Sequence, residues 1–541
     1  MKLKKYTIIG SGISGINAAL TLLKKGHAVD ILDYDNEDND PINTKETFQS
    51  IKESENIDSL KFFYGEDLIN LHKNNPDELF TFPERRRGLT KKNIFRYDQD
   101  VNLFEPKHGY CKGGLGSFWG ANSVEFNQDD LIGFGIDKNE FVSAYSELGD
   151  RFKLSGGIND DISEIANNSY KIKYDRNLSN AELKLLKMYQ EKFQNNKVND
   201  FRMGQSRLAI NSSPATNDSC YNSGLCMWRC PNSSIYDPKQ TLAECQSYNS
   251  FNYKKGFTVI FLESCNLKKT NIKNIIYTDS NGIFKKEGVE NVILAAGALN
   301  SSIIHLRSLF ENGLSTSNKV RSYGLMDTQV VKIPYFNPYA INDNFNTSKI
   351  QLNNLTAFIR NYSNDFPNWI QAELLSLGSL IYHPIINKVG LGILNSLFTF
   401  NTIKSNLGVA SLFIPDRLDS SNYIEIDFSK KVPELNFKYQ QLNDVQKVKK
   451  DSISAFIGYM RRLGILISKH SAIHLKHGEG IHYAGTIPIM ENKTLGCVDR
   501  DCKSYDFDNL HVVDGSVFPS LPSKSISLNL AANAIRVARK L

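Results

Sequence analysis

The chain has 541 residues, more than one ordinary domain holds, so at least two lobes with their own cores are expected. Its 41% hydrophobic and 23% charged residues are those of a soluble globular protein, not of a disordered or fibrous one. The net charge of +6 comes from 64 basic and 58 acidic residues mixed along the chain, and no basic run is interleaved with aromatics, so nucleic acid is not an implied partner.

Residues 6–9 form a short β-branched run that predicts a buried strand. It leads into Gly10-Ser11-Gly12-Ile13-Ser14-Gly15, then into a helix-forming run at 16–25 and a second apolar run at 28–32 that ends on Asp33. The pattern is strand, glycine turn, helix, strand. Gly10 permits the tight turn, Gly12 lets a pyrophosphate approach the backbone, and Gly15 lets the helix pack close to the sheet. Ser14 lies at the start of the helix, whose N–H groups and dipole favour phosphate, and Asp33 can accept hydrogen bonds from a ribose. A glycine turn of purely structural use is the alternative. The flanking strands and the acid eighteen residues after Gly15 favour an adenine dinucleotide, of a kind the motif does not specify. The N-terminal lysines run straight into this strand, without the apolar segment of a signal peptide. A cytoplasmic, reducing location is therefore expected, with the eight cysteines as thiols.

The polar stretch 36–100 reads as a solvated excursion. Residues 112–122 follow, with Gly113, Gly114, Gly116 and Gly120 beside Ser117, Phe118, Trp119, Ala121 and Asn122. Four glycines in so short a stretch make neither an ordinary helix nor a strand; the backbone there is expected to press against something flat or charged. Helices are predicted at 139–152 and 180–192. Cys220, Cys226 and Cys230 lack paired knuckle spacing and a nearby histidine, so a structured loop with buried thiols is preferred to a metal site.

Strands are predicted at 256–262, 271–278 and 289–296, the last closed by Ala296-Gly297 and followed by a helix from Asn300. From about Gly313 the strands alternate in hydrophobicity, at 329–334, 422–428 and 434–439, which predicts a mostly antiparallel sheet in a second lobe. A helix is predicted at 444–463. Residues 374–400 are the most apolar stretch, but Pro384, Asn387 and Lys388 near the middle argue against a membrane span. Helices beside a substrate cavity are preferred, with peripheral membrane contact as the alternative.

Near the C-terminus come Ile481-His482-Tyr483-Ala484-Gly485-Thr486, a strand ending in Asp514-Gly515-Ser516, and an Ala-rich helix over 525–541. These motifs, with the N-terminal unit, the 113–122 loop and the 292–299 strand-to-helix segment, stand in an order that resembles the glucose–methanol–choline (GMC) oxidoreductases from first strand to last helix. The fold this implies is α/β, with a discontinuous Rossmann-type FAD-binding lobe (1–160, 200–312 and 475–541). A second α+β substrate lobe on an antiparallel sheet takes 161–199 and 313–474. The resemblance implies FAD on Gly10, Gly12, Ser14, Gly15, Asp33, Gly114, Gly116, Ser117, Trp119, Gly120, Ala121, Asn122, Ala296, Gly297, Asp514 and Gly515. Some relatives attach the flavin to a histidine before the Trp; Phe118 stands there, so noncovalent FAD is expected.

His482 falls where the family keeps its active-site histidine. An imidazole suits removal of a hydroxyl proton as hydride passes to flavin N5. Where the family has a second His or Asn, this chain has Ser525, flanked by Lys524, with Asn529 one turn on; either was a candidate to compensate. The implied reaction is oxidation of a small-molecule alcohol, a sugar or another polyol among the candidates, with an electron acceptor that no motif identifies. A non-redox flavin enzyme of the lyase or decarboxylase kind acting on a lipophilic substrate, and an inactive flavin-binding scaffold, are the alternatives.

Overall fold

A computed structural model describes residues 3–35, 47–54, 96–97, 104–226, 230–265, 270–279, 282–340, 350–376 and 402–541, with 392, 395, 398 and 399 as isolated positions. Most of the polar stretch 36–100 and of the apolar stretch 374–400 lies outside the described residues. The elements that build the site are, in chain order, β1 (Lys5–Ile9), α1 (Ile13–Lys24), β2 (Ala28–Leu32), α2 (Asn139–Arg151), β3 (Phe201–Gln205), β4 (Phe251–Lys254), β5 (Asn291–Leu294), α3 (Ala298–Glu311), β6 (Gln329–Phe336), β7 (Leu355–Arg360), β8 (Trp369–Ser376), β9 (Leu407–Ile414), α4 (Asn443–Arg462), β10 (Leu510–Val512) and α5 (Ser527–Lys540).

Five of these strands form a parallel sheet in the order β10-β5-β1-β2-β4. Their short apolar runs suit a sheet covered on both faces. α1 is buried from Ile13 to Leu23 and lies against α5, so the first and last helices share one core. At its other side Gly15 lets α1 start tight against the turn after β1: a Cβ there would sit 2.1 Å from the Gly10 carbonyl oxygen.

The second sheet has seven strands and is antiparallel, with Leu466–Ile467, β6, β9, β8, β7 and β3 along its path and Ile473–His474 also pairing β6. Period-two alternation divides its faces. Val331, Ile333, Ala372, Leu374, Ala410 and Leu412 pack against Val445, Phe456 and Met460 of α4. Glu373, paired with Ser411, points to the opposite face, as do Gln371 and Phe413 by the same alternation.

Two sequence expectations need correcting. The alternating stretches do not share one sheet: 329–336 enters the seven-stranded sheet, whereas Tyr423–Asp427 and Glu434–Lys438 pair in a separate four-stranded one. Alternation shows that one face of a strand is covered, not which sheet covers it. The segment 200–312 was given wholly to the dinucleotide lobe, yet β3 is the edge strand of the seven-stranded sheet. Residues 258–264 and 272–278 are strands as expected, joined with Phe284–Gly288 in a three-stranded antiparallel sheet. Among the described residues no helix is long and apolar enough to cross a membrane.

Candidate active site

One cavity joins the two sheets. Its lining includes Gly10, Gly12, Ser14 and Asp33 from the first crossover; Gly114, Gly116, Trp119, Gly120 and Asn122 from the glycine loop; Ala296 and Gly297 from the β5–α3 turn; and Asp514, Gly515, His482 and Ser525 from the C-terminal region. Three expected residues lie behind the wall. Gly15 packs α1 onto the strand turn. Ser117 donates to the Lys112 carbonyl at 3.0 Å and to Asp237 at 2.9 Å, which pins the loop. Ala121 is buried, and its carbonyl accepts from the Ala209 amide.

The glycines sort by what a side chain would strike. At Gly10, with φ of +99°, a Cβ would meet the Ala295 carbonyl oxygen at 2.5 Å, so the fold itself requires glycine. Gly12 differs: a Cβ there would approach only the Gly113 carbonyl oxygen, at 4.0 Å, and at Gly120 and Gly297 nothing lies within 4 Å. All three line the cavity. Protein packing does not account for Gly12 or Gly120, whereas close approach of a ligand to bare backbone does; at Gly297 a φ of +86° itself favours glycine. No side chain caps α1 at Gly12, and its first turn holds no acidic residue, so an anion is suited to its N-terminus.

The glycine loop locks onto this turn through Ser11. The Gly113 amide donates to Ser11 Oγ at 2.9 Å, and Ser11 donates in turn to Asp33 Oδ2. The Ser11 amide at 3.2 Å and the Tyr253 hydroxyl at 3.1 Å end on the same oxygen, which concentrates these bonds on one side of the carboxylate. Asp514, which lines the cavity as expected of the C-terminal turn, also joins two loops. Its Oδ2 accepts from the Gly297 amide at 3.0 Å and from Ser301, and its Oδ1 from the Ser516 amide at 3.0 Å and the Ser516 hydroxyl at 2.7 Å. The carboxylate ties the C-terminal turn to the β5–α3 crossover. Burial pushes the Asp33 and Asp514 carboxyls above the usual range.

His482 stands at the other end. The Thr328 amide donates to its carbonyl at 3.1 Å, and the next residue, Tyr483, pairs with Asp327. Before it, Gly480 presses so closely on Thr328 that a Cβ would lie 2.0 Å from that carbonyl oxygen, and Ile481 is held at φ of +63°. A β-branched residue in left-handed backbone is strained, and here it adjoins His482 in the cavity wall. The ring stacks on Phe413, with centroids 5.7 Å apart and planes 17° apart. Its Nδ1 is buried without a protein hydrogen-bond partner, and burial lowers its pKa to about 4, so the imidazole is neutral at pH 7 and open to a proton.

Neither candidate compensator for Ser525 reaches the cavity. Lys524 is fully buried and gives its ammonium to Asp130 at 2.6 Å and to the carbonyls of Glu125 and Ile165. Asn529 bonds the Phe126 amide, the Tyr145 hydroxyl and the Val124 carbonyl. Instead, Ser525 Oγ donates to Glu373 at 3.4 Å, and Glu373 lines the cavity. Gln371 Nε2 donates to Glu373 Oε1 at 2.9 Å and to Asn122 Oδ1 at 3.2 Å. Asn353 donates to the other Glu373 oxygen. The Nδ2 of Asn122 is left buried without an acceptor. Sequence reasoning missed Glu373, although Gln371 and Glu373 at alternate positions of an otherwise apolar strand were a usable signal. It also missed His108, which stacks on Tyr110 in the cavity wall and which burial lowers to about 4.

All eight cysteines are free, and among the described residues no group of His, Cys, Asp and Glu is arranged to hold a metal ion. The Cys230 thiol accepts from the Ser234 amide, and that of Cys226 from the Gln351 amide. Burial pushes Cys226 up to about 12, which leaves its thiol unreactive.

Residues 466–534, which carry His482, Asp514 and Ser525, match the family described as GMC oxidoreductase. No curated protein matches the chain by sequence. Among solved structures, pyridoxine 4-oxidase from Mesorbium loti superposes with a TM-score of 0.62 over 99% of both chains, at 14% identity. Residues 466–534 are thus similar to the C-terminal part of GMC oxidoreductases, and the chain as a whole shares the fold of that structure.

Proposed function

We propose that the protein is an FAD-dependent oxidoreductase that oxidises an alcohol, with His482 as the base that takes the hydroxyl proton. The observation that carries this reading is the single cavity. It has bare glycine backbone and an uncapped helix N-terminus at one end, and a neutral imidazole at the other. The residues present fit FAD: Gly12 and Gly120 leave open space beside bare backbone in the cavity wall, and the buried Nδ2 of Asn122 lacks an acceptor.

In this reading the parallel-sheet lobe binds the cofactor and the antiparallel sheet shapes the substrate end. The Gly10–Ser14 turn and the start of α1 hold the pyrophosphate, Asp33 a ribose, and Asn122 donates to the flavin end. Bound FAD supplies the hydride acceptor. His482, oriented by Phe413 and by the Thr328 amide, accepts the hydroxyl proton, while Ser525 donates its own hydrogen bond to Glu373 at the substrate end. Phe118 cannot form a link to flavin, so the cofactor is held noncovalently. The structural neighbour is named for pyridoxine; for this chain the reading stops at an alcohol.

The test is anaerobic titration of the purified yellow protein with alcohols, sugars and amino alcohols. Bleaching of the flavin band by at least one is expected, as is full release of FAD on acid precipitation. Protein that takes up no FAD, or that no alcohol reduces, overturns the reading.

A further inference from the structure

The antiparallel sheet offers the cavity a carboxyl that alcohol oxidation by His482 does not need. Glu373 is 4% exposed and has three hydrogen-bonding neighbours, Gln371, Asn353 and Ser525, all uncharged donors. No described lysine, arginine or histidine forms an ion pair with it. The cations nearby are otherwise placed: Lys524 is spent on Asp130, and Lys332 lies two strands away, across Ser411. A carboxylate accepts about four hydrogen bonds, so capacity remains. A buried charge without a counter-charge is costly, and a ligand cation would offset that cost. Burial already raises Glu373 to about 7, as expected of a carboxyl short of positive partners.

We infer that Glu373 selects the substrate: an alcohol that carries a cationic nitrogen, seated with the nitrogen on the Glu373 carboxylate and the hydroxyl toward His482. The inference rests on the proposed alcohol oxidation and narrows its substrate class. Ser525 then has a reason of its own. A small hydroxyl at that position bonds the carboxyl and leaves its approach open, where an imidazole or amide would stand in front of it.

Matched pairs separate charge from shape: dimethylaminoethanol against isoamyl alcohol, and para-(aminomethyl)benzyl alcohol against para-ethylbenzyl alcohol. At about pH 8 both amines are largely protonated. The kcat/KM for flavin reduction is expected to favour the cationic member at least about tenfold, and Glu373→Gln to abolish that ratio while Glu373→Asp retains part of it. Equal rates within both pairs in the wild-type protein, or a ratio that survives Glu373→Gln, overturn the inference. Binding is read separately with para-methylbenzylamine, which has no hydroxyl, by its perturbation of the flavin spectrum. Tighter binding to wild type than to Glu373→Gln supports the cation site even if no alcohol bleaches the flavin, a result that would sink the alcohol reading alone. Bleaching by neutral alcohols with no binding of the amine would sink the cation site alone.

Discussion

The two ends of the cavity are built from different materials. The end under the parallel sheet is made of main chain: glycines at 10, 12, 120 and 297, the open first turn of α1, and carboxylates turned inward to tie loops together. The end under the antiparallel sheet is made of side chains, namely His482, Phe413, Glu373 and Ser525, drawn from four separate segments between positions 373 and 525. In the proposed reading the main-chain end takes the cofactor's phosphates, and its mark in the sequence is glycine. Side chains decide what differs between relatives, and one pleat of a strand suffices to bring a new one in.

The sharpest way to break this division is at the side-chain end. His482→Ala should leave FAD uptake intact and slow flavin reduction roughly a hundred- to ten-thousand-fold, the range for loss of a general base. Stopped-flow reduction beside a flavin-to-protein absorbance ratio measures both. An unchanged rate would remove His482 from the chemistry.

At the backbone end, two glycines of one motif should behave differently. Gly15→Ala drives a Cβ to within 2.1 Å of the Gly10 oxygen and should cost about 1–3 kcal/mol, seen as a lower Tm even without FAD. Gly12 has φ of −60° and free space, so Gly12→Ala should keep the Tm of the FAD-free protein and lose affinity for FAD alone. If both variants melt early, Gly12 serves packing and the ligand cradle is misassigned.

The smallest expected effect, and the one that sharpens the comparison most, is pH dependence. Burial raises Glu373 to about 7, so its carboxyl is protonated and neutral below that pH and charged above it. Its preference for cationic over neutral alcohols should therefore rise through pH 7, level off above, and be flat in Glu373→Gln. The titratable groups around it include His482, Lys332, Tyr335, Glu182 and the Lys524–Asp130 pair. Burial lowers His482 to about 4, so proton acceptance should be retained from about pH 5 upward and lost only below. A preference that does not change with pH would mean Glu373 does not titrate against substrate.

Much of the molecule was legible from local pattern. The β1–α1–β2 unit, α3, α4, α5 and the Asp514 turn lie within a few residues of where apolar periodicity and glycine placed them, because each is fixed by neighbours in sequence. Residues 329–336 were legible as a strand but not as a member of a different sheet from 422–428, since pairing is a long-range choice.

The sequence by itself determined the β1–α1–β2 crossover and the glycine loop, because short-range geometry leaves only certain residue types there, whereas His482 was marked only by the resemblance of its motif to a family's. Tertiary structure alone decided that Asp514 pins a crossover, that Lys524 and Asn529 turn away, and that Glu373 meets Ser525. Those outcomes depend on which pleat of which strand faces the cavity. That is settled only when a sheet finds its partners and buries its other face against α4.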